Sequence, residues 1–120
     1  MRKNIYLILA ITWMAAIWGV SSLPSTNIPE IKIIGYDKIA HFSVYMILGL
    51  LVNKHLCSKA CRPKSYIIIY ALLILSAALD EYHQNFIPGR SVNIFDFFAN
   101  TLGLISALLL ALGRSVMKAA

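Results

Sequence analysis

Four apolar segments fill most of this chain, and they restrict its fold more than any other feature. They cover residues 5–23, 39–52, 66–79 and 94–112. The chain is 59% hydrophobic and 13% charged, whereas a soluble domain averages about 45–50% and about 25%. Its 11 Lys and Arg and 5 Asp and Glu cannot form a polar surface, and disorder requires low hydrophobicity. The sequence therefore predicts a membrane protein with a single domain over residues 1–120.

Two of the four segments reach spanning length only by including polar residues. A membrane-spanning helix needs about 20 mostly apolar residues, with about 17 as the lower limit. The second and third segments have uncharged cores of 14 residues each. They become long enough by taking in polar residues at one end: Asp37, Lys38 and His41, and Asp80, Glu81 and Gln84. We predict an all-α integral membrane four-helix bundle with short loops and spans at about residues 5–23, 37–53, 65–84 and 93–112.

The basic residues predict the orientation of this bundle. Eight of the 11 would lie on one side of the membrane: Arg2, Lys3, Lys54, Lys59, Arg62, Lys64, Arg114 and Lys118. The positive-inside rule makes that side cytoplasmic, together with both termini. All five acidic residues fall on the other side. The net charge of +6 is thus a topology signal, and the dispersed basic residues predict no nucleic-acid partner.

The first segment and the two cysteines allow a second reading each. Residues 5–20 could be the apolar core of a secretory signal, but 16 residues are long for one. Its removal would also break the charge rule, so we expect the first span to be retained. Cys57 and Cys61 are four residues apart, so a helix could bring both thiolates to a metal ion, but two ligands alone rarely make a site. We expect free thiols, because the predicted cytoplasm is reducing.

Polar residues recur at helical spacing near the outer ends of spans two, three and four. Side chains four positions apart share a helix face, and the repeats are Asp37, His41 and Tyr45, then Ser76, Asp80 and Gln84, then Asp96 and Asn100. A charged side chain in hydrocarbon costs at least about 2.5–3.5 kcal/mol, so it normally faces a partner or water. We expect one converging cluster: Asp37, Lys38, His41, Asp80, Glu81, Gln84, Arg90, Asp96 and Asn100.

Several chemistries suit such a cluster. Its four carboxylates exceed its two cations, which favours a proton, a metal ion or a cationic ligand. Glu81, His41 and Asp80 are candidate catalytic acids and bases, and the fork of Arg90 suits a phosphate or carboxylate. No metal or cofactor is predicted, because no compact motif such as HExxH is present. A purely structural lock between helices is the remaining alternative.

Other aromatic and histidine residues have simpler expected roles. Tyr36, Tyr45, Tyr82 and Phe86 are predicted to form an aromatic belt at the membrane interface. His55 and His83 are expected in solvated loops.

These motifs resemble those of the VanZ-like family of small membrane proteins. The resemblance rests on residues 37–42 with Tyr45 and Gly49, on residues 80–84, on residues 88–90, and on Asp96 with Asn100 and Gly103. It covers about residues 36–103.

The resemblance implies a multi-pass protein of the bacterial cytoplasmic (inner) membrane, in contact with membrane lipid. The family is named for a protein that lowers susceptibility to teicoplanin, a glycopeptide with an acyl chain. We expect the cluster to bind or modulate an envelope component, such as a lipid headgroup, a glycopeptide or a cell-wall precursor, and to affect glycopeptide susceptibility. The alternatives are a membrane enzyme that uses Glu81 and His41 on a lipid-linked substrate, and the helix lock.

Overall fold

Four α-helices form the described part of the chain. A computed structural model describes residues 4–23, 36–89 and 93–119. The helices are α1 (Ile5–Ser21), α2 (Tyr36–Ser58), α3 (Pro63–His83) and α4 (Ile94–Ala119), and a short 3-10 helix (Gln84–Phe86) follows α3. No strand occurs within these residues. The predicted all-α class is confirmed.

Three of the helices are long and apolar enough to cross a membrane. These candidate spans are Lys38–Ser58, Pro63–Phe86 and Ile94–Arg114, and those of α2 and α3 include polar residues such as Lys38, His41 and Glu81. α1 is apolar but has 17 residues, a length of about 25 Å at 1.5 Å per residue against a core of about 30 Å. The protein is thus of the multi-pass membrane type. A crossing by α1, and the orientation of the bundle, stay predictions.

The ends of the helices follow from local backbone chemistry. α2 ends where Ala60 takes a positive φ of 52°, and the Cys61 N–H donates to the Leu56 carbonyl in a Schellman-type closure. Pro63 then starts α3, at a position where a missing N–H has no cost. The Asn93 side chain accepts the Phe95 N–H at 3.0 Å and so caps the start of α4.

A close crossing of α2 and α4 is the centre of the bundle. Gly103 on α4 lies against the backbone of Phe42 and Met46 on α2, so that a Cβ there would overlap both. One helix turn further on, Ala107 of α4 is packed against Gly49. Small residues allow helix backbones in lipid to approach this closely. α1 packs on α2, where the Trp13 Nε1–H donates to the Val44 carbonyl at 2.8 Å.

Substituting Gly103 by alanine tests this crossing. Gly103→Ala should lower the free energy of unfolding by about 1–3 kcal/mol, because its methyl group meets backbone atoms that cannot rotate away. Gly113→Ala on the same helix is the matched control, since nothing lies within 4 Å of its added Cβ. The measurement is unfolding of the purified proteins in mixed detergent micelles. Equal stabilities for the two variants would disprove the close crossing.

Candidate functional site

The polar side chains of three helices meet at one end of the bundle. α2 and α4 begin there and α3 ends there. We call the group the polar cluster and define it as Lys38, His41, Glu81, Asp96 and Asn100. Glu81, Asp96 and Asn100 are buried, while the side chains of Lys38 and His41 are 33% and 23% exposed. The cluster is thus a mostly buried site with one accessible edge.

Asp96 and His41 are linked across the α2–α4 interface. Lys38 Nζ lies 2.5 Å from Asp96 Oδ1, and His41 Nε2 lies 3.7 Å from Asp96 Oδ2. The other ring nitrogen, His41 Nδ1, donates to Asn100 Oδ1 at 2.9 Å. With the proton on Nδ1, a neutral His41 directs the lone pair of Nε2 toward Asp96.

Glu81 lies beside this pair, and its carboxyl group has no hydrogen-bond partner in the described residues. Its residue surface is 4% exposed, and neither carboxylate oxygen has a hydrogen-bond partner in the described part of the chain. The backbone N–H of Asn93 is nearby but does not make a hydrogen bond of normal geometry. One Glu81 oxygen lies within 4.8 Å of a His41 ring nitrogen and of an Asp96 oxygen. The buried carboxylate therefore points into the cluster as an open acceptor.

Asp80 belongs to a second, separate group. Tyr45 Oη donates to Asp80 Oδ2 at 3.0 Å, and Ser21 Oγ donates to the same oxygen at 3.1 Å. All three residues are buried, and they join α1, α2 and α3. Neighbouring residues of a helix point about 100° apart, so Asp80 and Glu81 face different partners. Asp80 is thus part of an interhelical polar contact and lies outside the polar cluster.

The remaining candidate residues have mixed outcomes. Gln84 is buried at the end of α3, whereas the side chain of Asp37 and all of Arg90 lie outside the described residues. The expectation of an interfacial Tyr45 is wrong, because this residue is 2% exposed and bonded to Asp80. Its spacing of four from His41 was the signal that it faces inward.

The expected loop positions of two histidines are also wrong. His83 ends α3, where it stacks on Trp18 and its Nε2 lies 3.1 Å from Ser22 Oγ. His55 is within α2. Ser21 had no sequence signal, because it is a single hydroxyl at the end of an apolar segment.

Comparison with known families identifies the chain. The family model described as VanZ/LLP1 matches residues 2–117, nearly the whole sequence. The chain belongs to the VanZ/LLP1 family. The resemblance inferred from its polar motifs is confirmed, and every residue of the polar cluster lies within the matched region. No curated protein and no solved structure gives a significant match.

The Asp80 contact in this VanZ/LLP1 chain predicts a structural role for Tyr45. Tyr45→Phe should lower the free energy of unfolding by about 1–2 kcal/mol, because the buried Asp80 carboxylate loses one of its two donors. Tyr82→Phe is the matched control, since Tyr82 is 61% exposed. Detergent-micelle unfolding of both variants is the measurement, and a Tyr45→Phe protein as stable as the control would contradict the prediction.

Proposed function

We propose that this protein binds the polar headgroup of an envelope component at the extracytoplasmic side of the bacterial cytoplasmic membrane, through the polar cluster. One observation carries the proposal. Glu81 is buried, and its two carboxylate oxygens have no partner among the described side chains, although one of them lies within 4.8 Å of ligand atoms of His41 and Asp96.

This arrangement differs from what a helix lock requires. A lock satisfies its own polar atoms, as Tyr45 and Ser21 do for one oxygen of Asp80. An uncompensated charge in a nonpolar interior costs several kcal/mol. Lys38 contacts Asp96, and within residues 36–89 and 93–119 no hydrogen bond reaches Glu81. A ligand that brings positive charge or hydrogen-bond donors to Glu81 would remove this cost.

The accessible edge of the cluster indicates what else the ligand carries. Lys38 and His41 are the partly exposed members, so a headgroup that enters from the membrane surface meets them first. A phosphate or carboxylate of the headgroup would contact Lys38. Arg90, which follows the Pro88-Gly89 turn, is the second predicted contact, because its guanidinium group binds such anions with two parallel hydrogen bonds. The same surface is where an acylated glycopeptide acts, so an altered glycopeptide susceptibility is the cellular effect that we propose.

A membrane enzyme is the second candidate, and the same geometry favours it. The candidate acid and base, Glu81 and His41, have ligand atoms within 4.8 Å of each other, a separation that one water molecule can bridge in a proton transfer. Consumption of a lipid-linked substrate by the purified protein, stopped by Glu81→Gln, would support this candidate over simple binding.

Removing the charge of Glu81 separates binding from a structural lock. Glu81→Gln should abolish retention of the envelope component. The free energy of unfolding of the ligand-free protein should stay equal or rise, because an unpartnered buried carboxylate is removed. Native mass spectrometry of protein purified from membranes measures the retained component. The control is Asn85→Ala, which changes an exposed polar residue four positions after Glu81 and should retain the component.

Two outcomes would contradict the proposed function. Glu81→Gln that keeps the component shows that the cluster does not bind it. With both proteins freed of bound ions and lipids, Glu81→Gln that loses more than about 1 kcal/mol of stability shows that the native carboxylate is paired within the bundle, as in a lock. A deletion strain complemented by each variant, with expression verified, then tests whether loss of binding and altered glycopeptide susceptibility occur together.

A further inference from the structure

We infer that the polar cluster holds a divalent metal ion, with His41, Glu81 and Asp96 as its ligands. The inference rests on the proposed function in treating the cluster as a ligand site, and it identifies the positive charge that Glu81 requires. No compact motif marks such a site in the sequence, because its three ligands come from α2, α3 and α4.

The three ligand atoms already lie close to coordination distance. One nitrogen of His41 and one oxygen each of Glu81 and Asp96 all lie within 4.8 Å of one another. The separation of His41 Nε2 and Asp96 Oδ2 is 3.7 Å. Ligands of tetrahedral Zn²⁺ at about 2.0–2.1 Å are separated by about 3.3 Å. Small side-chain movements would therefore complete the site.

Glu81 supplies an independent reason for a cation. Only 4% of the Glu81 surface is exposed, and its carboxylate has no hydrogen-bond partner in the ranges that the structure describes. A buried carboxylate that points at a second carboxylate and an imidazole is expensive without a positive charge between them. A metal ion would satisfy all three groups together.

The neighbours of the three ligands hold them as metal ligands are usually held. Asn100 Oδ1 accepts the Nδ1–H of His41, which fixes the tautomer and leaves Nε2 for the ion. Lys38 contacts the Asp96 oxygen that does not face His41, so Oδ2 stays directed into the cluster. Two carboxylates balance the charge of a divalent ion.

The donor set indicates the class of metal. One imidazole and two carboxylates suit a borderline ion such as Zn²⁺ better than Ca²⁺ or Mg²⁺, which take oxygen ligands. Three protein ligands leave a fourth position open. The partly exposed edge formed by Lys38 and His41 would bring a phosphate oxygen of a headgroup to that position.

Zn²⁺ titration tests the inference without any lipid ligand. The full chain is purified in detergent, stripped with a chelator, and titrated with Zn²⁺ in competition with a chromogenic chelator. We expect one Zn²⁺ per chain, and Glu81→Gln and His41→Ala should each weaken binding by at least about tenfold. Zn²⁺ should also raise the thermal midpoint of the native protein and leave that of Glu81→Gln unchanged. A cooperative thermal transition of Glu81→Gln verifies that this variant is folded.

Two controls separate this site from other metal-binding side chains. Cys57→Ser/Cys61→Ser/His55→Asn removes the donors at the opposite end of the bundle and should bind Zn²⁺ as the native chain does. Asn85→Ala, which changes an exposed polar side chain beyond the end of α3, should also keep Zn²⁺ binding. A loss of Zn²⁺ binding in either control variant would overturn the inference.

The result is distinguishable from a failure of the proposed function. A native chain that binds no Zn²⁺ overturns the metal inference, and so does Glu81→Gln that binds Zn²⁺ as tightly as the native chain. Envelope-component retention by the metal-free protein would leave the proposed function standing in that case. Conversely, Zn²⁺ binding at the three ligands with no retained component supports the metal site and contradicts the headgroup function.

Discussion

The close crossing of α2 and α4 is the contact on which the rest of the structure depends. Gly103 allows the backbone of α4 to touch that of α2 at Phe42 and Met46. His41 immediately precedes Phe42, and Asn100 lies one turn before Gly103, so the crossing itself places the imidazole on the amide at 2.9 Å. Asp96, a further turn toward the start of α4, then meets Lys38. The geometry of the polar cluster is thus set by a glycine that takes no part in its chemistry.

Two adjacent carboxylates on α3 show how this bundle separates stability from binding. Asp80 receives hydrogen bonds from Tyr45 and Ser21 and so ties three helices together. Glu81 is equally buried, yet within the described residues it receives no hydrogen bond. Natural proteins retain unfavourable buried polar groups mainly where function requires them. We therefore propose a structural role for Asp80 and a ligand role for Glu81, His41 and Asp96.

Much of this organisation could be predicted from the sequence, for definite physical reasons. Short uncharged cores required α2 and α3 to include polar residues, and the cost of charge in hydrocarbon required those residues to meet. Spacing alone could not separate Asp80 from Glu81, because it gives the angle between them and not the helix that each one faces. The general preference of tyrosine for the membrane interface gives the wrong position for Tyr45. This residue is buried, because it lies on the same helix face as His41. The contact of Ser21 could not be predicted, because its single hydroxyl belongs to no repeating pattern in the sequence.

We propose above all that Glu81 meets a partner from outside the protein. The most direct measurement is an experimental structure of the native protein in lipid nanodiscs, at a resolution that shows ordered ions and headgroups. We predict non-protein density in contact with the Glu81 carboxylate, between His41 and Asp96 and open to the edge at Lys38. A Glu81 carboxylate that is hydrogen-bonded to a side chain of its own chain, Arg90 included, with no such density, would contradict it.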